Sequence, residues 1–232
     1  MRIAISSTQC SGKSTLIQSF LNKWDMYESP KKTYRDLIKD KGLKLNQLGD
    51  LESQKEIRDA LADQALLNAS IKNCIHDRCI LDNLVYTLWL AEKNIIKDTN
   101  FIADSFNLTR ETLKFYDIIF WLPISSNSPV NIVEDENRDT DLTYREEINN
   151  IFKGIEHTYK ERTGLVFPIE DSPAFIAIEG DETYNEKTNM ISLYLREDGT
   201  FKDTDESVFK TLTELTEEQD IADKLFKQVT EL

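Results

Sequence analysis

Between its first apolar run and its first amphipathic run, the chain reads Ser7-Thr8-Gln9-Cys10-Ser11-Gly12-Lys13-Ser14-Thr15. The preceding Arg2-Ile3-Ala4-Ile5-Ser6 has the apolar character of a parallel strand covered on both faces. From Ser14 onward, Leu16, Ile17, Phe20 and Leu21 recur at helical spacing. A strand, a loop ending in Gly-Lys-Ser and a helix form a pattern with a clear physical use. Its backbone N–H groups wrap an anion at a helix N-terminus, where the helix dipole favours negative charge. A Gly-Lys-Ser tripeptide alone also occurs in surface turns; the strand before it and the helix after it select the phosphate-binding reading. Ser7 stands where the pattern usually has its first glycine.

This reading assigns roles by position. The backbone from Gln9 through Cys10, Ser11, Gly12 and Lys13 to Ser14 is expected to enclose a β-phosphate, with Thr15 opening the helix. Lys13 would reach the β- and γ-oxygens as a point charge, and the Ser14 hydroxyl would ligate Mg2+. The expected cofactors are therefore ATP and Mg2+.

Further strands are expected at about Asp25–Ser29, at Cys74–Asp77, at Asp117–Leu122 and at Ala174–Ile178. Helices are expected over Leu51–Ile71, about Asp82–Glu92, Thr109–Phe115 and from about Thr140–Thr143 to Thr163, where Thr143 and Glu146 have capping-box spacing. Further helices are expected near Asn185–Leu195 and Thr216–Leu232, with a turn at Glu197–Gly199 between them. Strands alternating with helices imply an α/β fold: a doubly wound parallel sheet of about five strands. Residues 1–180 read as one domain and 181–232 as a helical, acidic C-terminal extension.

The formal charge of −14 is unevenly spread. Residues 1–60 hold 11 basic and 8 acidic groups, 61–169 hold 11 and 17, and 170–232 hold 6 and 17. The basic excess thus accompanies the phosphate loop, where an anionic substrate would arrive. An acidic protein is repelled by nucleic acid at long range, which disfavours DNA as a partner. No apolar run reaches the roughly 18 residues of a membrane helix, and the N-terminus lacks a secretion-signal pattern. Cys10, Cys74 and Cys79 have no metal-clip spacing and read as reduced thiols of a cytoplasmic protein.

A second group of chemical residues is His76-Asp77-Arg78-Cys79-Ile80-Leu81-Asp82. An Asp at the C-terminal edge of a parallel strand faces the crevice where such sheets bind ligands. Asp77 could hold a metal-bound water or take a proton from a hydroxyl, and Arg78 could grip a phosphate bidentately. The same two residues could instead form a structural ion pair, and Asp82 could cap the next helix.

Taken together, four segments resemble the P-loop small-molecule kinases: Gly12–Thr15, Asp77 through Asp82, Tyr116–Pro123, and Arg138-Asp139-Thr140-Asp141-Leu142-Thr143-Tyr144-Arg145. That group includes thymidylate, deoxynucleoside and nicotinamide-riboside-type kinases, and phage-encoded AAA-type ATPases or kinases. The resemblance covers about residues 1–180, and Lys32-Thr33-Tyr34-Arg35-Asp36 looks closest to the phage type. It implies acceptor contacts from Tyr34, Arg35, Asp36, Arg78 and Asp82, although a solvated helix start explains the first three equally well. It also implies a lid at about 125–163, and the host cytoplasm as location if the chain is phage-encoded. Arg138 and Arg145, seven residues apart, would then converge on the γ-phosphate; carboxylates dense around them offer the alternative of surface ion pairs.

The implied activity is transfer of the γ-phosphate from ATP to a nucleoside or (deoxy)nucleotide. Two alternatives stay open. One is a kinase of a modified base or end in DNA, for which residues 23–44, with seven basic against four acidic groups, supply the only basic stretch. The other is a non-kinase ATPase or nucleotide-dependent switch.

Overall fold

The computed structural model describes residues 1–31, 33–124, 141–179 and 184–202. Four strands, β1 (Arg2–Ser7), β2 (Cys74–Asp77), β3 (Ile118–Leu122) and β4 (Ala174–Ala177), form one parallel sheet in the order β2-β1-β3-β4. Because side chains alternate along each strand, each strand feeds two cores. Ile3, Ile5, Ile75, Ile118, Phe120 and Ile176 point to one face and pack with Leu16, Phe20, Ile191 and Leu195. Ala4, Ile119, Trp121 and Phe175 point to the other and pack with Leu61, Leu84, Trp89, Leu113 and Phe152.

The helices divide accordingly. On the first face lie α1 (Lys13–Lys23) and α7 (Tyr184–Tyr194); on the second lie α3 (Leu51–Leu67), α4 (Ile80–Glu92), α5 (Thr99–Leu113) and α6 (Leu142–Lys160). The short α2 (Tyr34–Lys41) packs beside α3. The sheet is thus doubly wound. The chain leaves β1 for β2 on one side and returns across it to β3 on the other, which opens a crevice at the carboxyl ends of the strands.

Several expectations are corrected. Asp25–Ser29 forms no strand; it contributes one parallel bridge, Glu28 to Cys74. Trp24 and Tyr27 instead turn into the core against Phe20, with ring centroids at 4.6 and 5.0 Å, and a turn bond from Tyr27 N–H to the Trp24 carbonyl breaks the extended run. Helix α5 starts at Thr99, ten residues earlier than expected, because the Asp98 carboxylate accepts from the Phe101 N–H at 3.0 Å. Helix α6 is capped by Asp141, which accepts from the Thr143 and Tyr144 N–H groups, and not by a Thr143–Glu146 box. Its Ile148 and Phe152 are wholly buried, so this half of the expected lid is part of the core.

The start of the C-terminal extension is tied to α1: the Lys23 ammonium donates to Ser192 Oγ and Asn189 Oδ1, and the Tyr27 hydroxyl donates to the Gly199 carbonyl at 2.6 Å. Residues 125–140 of the expected lid, including Arg138, and the expected helix at Thr216–Leu232 lie outside the described residues. Among the described residues no helix is long and apolar enough to cross a membrane.

Candidate functional site

The loop at the end of β1 closes on itself through side chains. The buried Ser7 hydroxyl contacts Ser11 Oγ at 2.5 Å and donates to the Thr8 carbonyl at 3.0 Å. That bridge accounts for a serine at the position usually held by glycine: the turn needs a small residue, and here its hydroxyl ties the two ends of the loop. Cys10 and Gly12 take left-handed backbone angles, φ 54° and 79°. At Gly12, the N-cap of α1, this conformation is open to glycine at no steric cost.

Lys13 is buried, its ammonium 3.4 Å from the Thr8 carbonyl. Burial pushes its pKa down to about 7, with the Arg78 cation adding to the effect and Asp77 and Asp82 opposing it.

Across from the loop, Arg35 on α2 donates from one nitrogen to Ser14 Oγ at 3.2 Å and to Asp77 Oδ2 at 3.0 Å. A hydroxyl and a carboxylate therefore face a common point, and Asp77 Oδ1 is buried with no hydrogen-bond partner among the described residues. This hard-oxygen set suits Mg2+, which takes one or two protein oxygens and completes its shell with substrate phosphates and water.

Arg78 does not pair with Asp77. Its backbone is left-handed at φ 78°, a strained state for a bulky residue. Its guanidinium is committed to Ser7 O (2.9 Å), Asp82 Oδ1 (2.7 Å), Tyr34 Oη (3.0 Å) and Tyr86 Oη (3.3 Å). Four of its five N–H groups are thereby used, so Arg78 braces the strand ends and is not free to act as a bidentate phosphate fork.

Asp82, 1% exposed, accepts from Ser6 Oγ, Ser7 N and Cys79 N as well as from Arg78. It sits in the first turn of α4, with Cys79 as the N-cap. Its oxygens join the ends of β1 and β2 to α4, which makes it a structural hub. Asp36 closes a capping box with Thr33 at the start of α2, accepting from the Thr33 N–H at 2.8 Å. Arg145, on α6 and 6% exposed, reaches the phosphate loop: its Nη2 donates to the Cys10 carbonyl at 3.4 Å, and its Nε has no partner among the described residues.

A cleft of about 730 Å3 joins these parts. Gln9, Cys10, Ser11, Gly12, Lys13, Ser14 and Thr15 line one end; Tyr34, Arg35, Arg78 and Asp82 line the middle. The lining is completed by residues the sequence reading missed: Gln54, Ile57 and Leu61 of α3, and Asn83 and Tyr86 of α4, with Tyr86 reaching back to Gln9. Gln54 is buried, and its Oε1 accepts from Asn83 Nδ2 at 2.8 Å and Thr87 Oγ1 at 3.2 Å. A signal for the two on α4 existed. Asn83, Tyr86 and Thr87 fall three and four residues apart in an otherwise apolar helix, one polar stripe facing one way.

A doubly wound parallel sheet with this loop at the end of its first strand defines a P-loop nucleotide-binding protein. The chain belongs to the AAA_28 family, described as an AAA domain, which it matches over residues 2–169. No curated protein matches it. Among solved structures it is similar to deoxyadenosine kinase from M. mycoides with dCMP and a flexible dCDP bound (TM-score 0.59, 22% identity, 83% of this chain and 97% of that one). It is similar to the same enzyme with dATP bound (TM-score 0.58, 21% identity, 83% and 98% covered). It also resembles NadR protein in complex with NR (TM-score 0.57, 12% identity), covering 88% of this chain and 53% of that one. At these identities the likeness is one of fold.

Proposed function

We propose that the protein is an ATP-dependent phosphotransferase that moves the γ-phosphate to a nucleoside or (deoxy)nucleotide. The observation that carries this reading is the continuity of the cleft: a phosphate-binding loop at one end opens into an aromatic, amide-lined end of a size and chemistry suited to a base and sugar. The dCMP, dCDP and dATP bound by the deoxyadenosine kinase of similar fold add support for a nucleotide acceptor.

In this reading the loop from Gln9 to Thr15 holds the nucleotide phosphates, and Lys13 neutralises the β- and γ-oxygens. Magnesium, held by Ser14 and Asp77, would draw off charge between those oxygens. Asp77, with a buried oxygen unpartnered among the described residues, orients the acceptor hydroxyl or takes its proton. Arg35, and Arg138 and Arg145 from the expected lid and its helix, supply positive charge toward the transferring group. Arg78 and Asp82 act at one remove by bracing the strand ends, and Tyr34 and Tyr86 offer flat faces to a base or sugar. Asp36 acts by fixing the start of α2, which carries Arg35.

The test is ADP release from MgATP against nucleosides, deoxynucleoside monophosphates and DNA, with Lys13→Ala as control. The expected result is stimulation by one small acceptor, lowered by about 10³-fold or more in the variant. Stimulation by DNA alone, with affinity falling steeply in salt, would move the activity to a DNA end or base. Turnover indifferent to every acceptor would replace the kinase reading with an ATPase switch.

A further inference from the structure

We propose that the side chain of Gln9 is a catalytic group that hydrogen-bonds the phosphoryl group during transfer, and that Tyr86 is the positioning residue that aims it. This rests on the phosphotransferase reading above.

Gln9 is 7% exposed and lines the cleft where the phosphate loop meets the acceptor end. The Tyr86 hydroxyl lies 3.1 Å from Gln9 Oε1 and 3.3 Å from Arg78 Nη2. Arginine can only donate, so Tyr86 accepts from Arg78 and spends its single proton on the Gln9 carbonyl. That fixes which way the amide points. The carbonyl is occupied, and the amide nitrogen, buried and carrying two N–H groups, has no acceptor among the described residues.

A buried donor left unmatched is a costly feature that a folded protein retains where a partner arrives during function. Here the neighbours define that partner. Lys13 and Arg78 are basic groups lining the same cleft, so the oxygen proposed to complete the amide is anionic. Gln9 belongs to the loop proposed to hold the β-phosphate and is joined to Tyr86 of α4, which lines the same cleft, so on the proposed function an oxygen between them belongs to the phosphoryl group in transfer. The loop backbone serves the β-phosphate, leaving the side chain of Gln9 for an equatorial oxygen of the group in transit.

The step balances as an ordinary in-line transfer. The acceptor oxygen forms a bond to the γ-phosphorus, and the bond from that phosphorus to the bridging oxygen breaks. ADP leaves with the electron pair, and the acceptor proton passes to water. Gln9 neither gains nor loses a proton; it donates a hydrogen bond that tightens as the equatorial oxygens collect charge.

The experiment compares wild type with Gln9→Ala, Gln9→Glu and Tyr86→Phe, measuring kcat, KM for MgATP and Kd for ADP. Gln9→Ala is expected to lower kcat by about 10²-fold, the scale of one lost transition-state donor. Its ADP affinity should stay within about twofold, because the loop backbone is intact. Gln9→Glu should fall further, since a carboxylate repels the phosphoryl oxygens. Tyr86→Phe should lower kcat less, with KM for MgATP unchanged, because the amide is freed but present. A Gln9→Ala variant with wild-type kcat overturns the inference, as does one losing kcat and ADP affinity in equal measure. Wild type that transfers phosphate to no acceptor overturns the functional reading and this inference with it.

Discussion

The two ends of the cleft are built in different ways. At the phosphate end, recognition is carried by consecutive residues whose backbone does the binding, and Gly12, Lys13 and Ser14 stand together in one turn. At the acceptor end, the lining comes from side chains of α2, α3 and α4, separated by dozens of residues and brought together only by the sheet and the cores beneath. The first end can hold the phosphates of any nucleotide. On the proposed function the second is where one acceptor is told from another, since a base is read by the side-chain donors and acceptors it meets.

Substitutions should therefore separate by region. The largest loss is expected for Lys13→Ala, described above. Next is Asp82→Ala, which breaks the bridge between the ends. It leaves a buried Arg78 without its carboxylate, a loss of about 3–5 kcal/mol. For a chain of this length the midpoint of thermal unfolding should then fall by roughly 6–20 °C, read by calorimetry. An unchanged midpoint would mean that the four hydrogen bonds around Asp82 are not what joins the strand ends.

Gln54→Ala should act on the acceptor alone. Its carboxamide oxygen is held by Asn83 and Thr87, so its nitrogen is the donor presented to the cleft. Loss of one such contact should raise the acceptor KM about tenfold, on the scale of a buried hydrogen bond, while KM for MgATP stays the same. An equal rise in both would erase the distinction between the two ends.

The smallest effect is one of pH. The folded, ligand-free protein holds the Lys13 pKa at about 7, against 10.5 for an ordinary lysine. Between these values the unfolded chain binds the extra proton, so stability without nucleotide should rise with pH across that window. Below about pH 7 both states are protonated and the cost of burying the cation is fully present. Phosphates favour the charged form, so nucleotide binding should take up a proton near pH 8, and affinity should fall as pH rises. Calorimetric titration in two buffers of different ionisation enthalpy measures that uptake; Lys13→Met should abolish both trends.

The same division explains what the sequence disclosed. The phosphate loop, β2, β3 and β4 were legible because each is a local pattern: a strand's apolar run, or a glycine and lysine at fixed spacing. The strand at Asp25–Ser29 was misread because an apolar, aromatic stretch ending at a proline looks extended, while Trp24 and Tyr27 gain more by packing on Phe20. Arg78 was legible as important but not in its role. Its partner, Asp82, is four residues on along the chain, but Ser7, Tyr34 and Tyr86 meet it only after folding. Gln54 carried no local signal at all; its burial depends on α4 lying across α3.

The central claim is that one cleft carries a phosphoryl group from nucleotide to acceptor. Its most direct test follows the γ-phosphate itself: ATP radiolabelled at that position is incubated with the protein, Mg2+ and a set of nucleosides and deoxynucleoside monophosphates. The account predicts label on one small acceptor, none with Lys13→Ala, and slower labelling with Gln9→Ala. Label released only as inorganic phosphate, at a rate no acceptor alters, would contradict it.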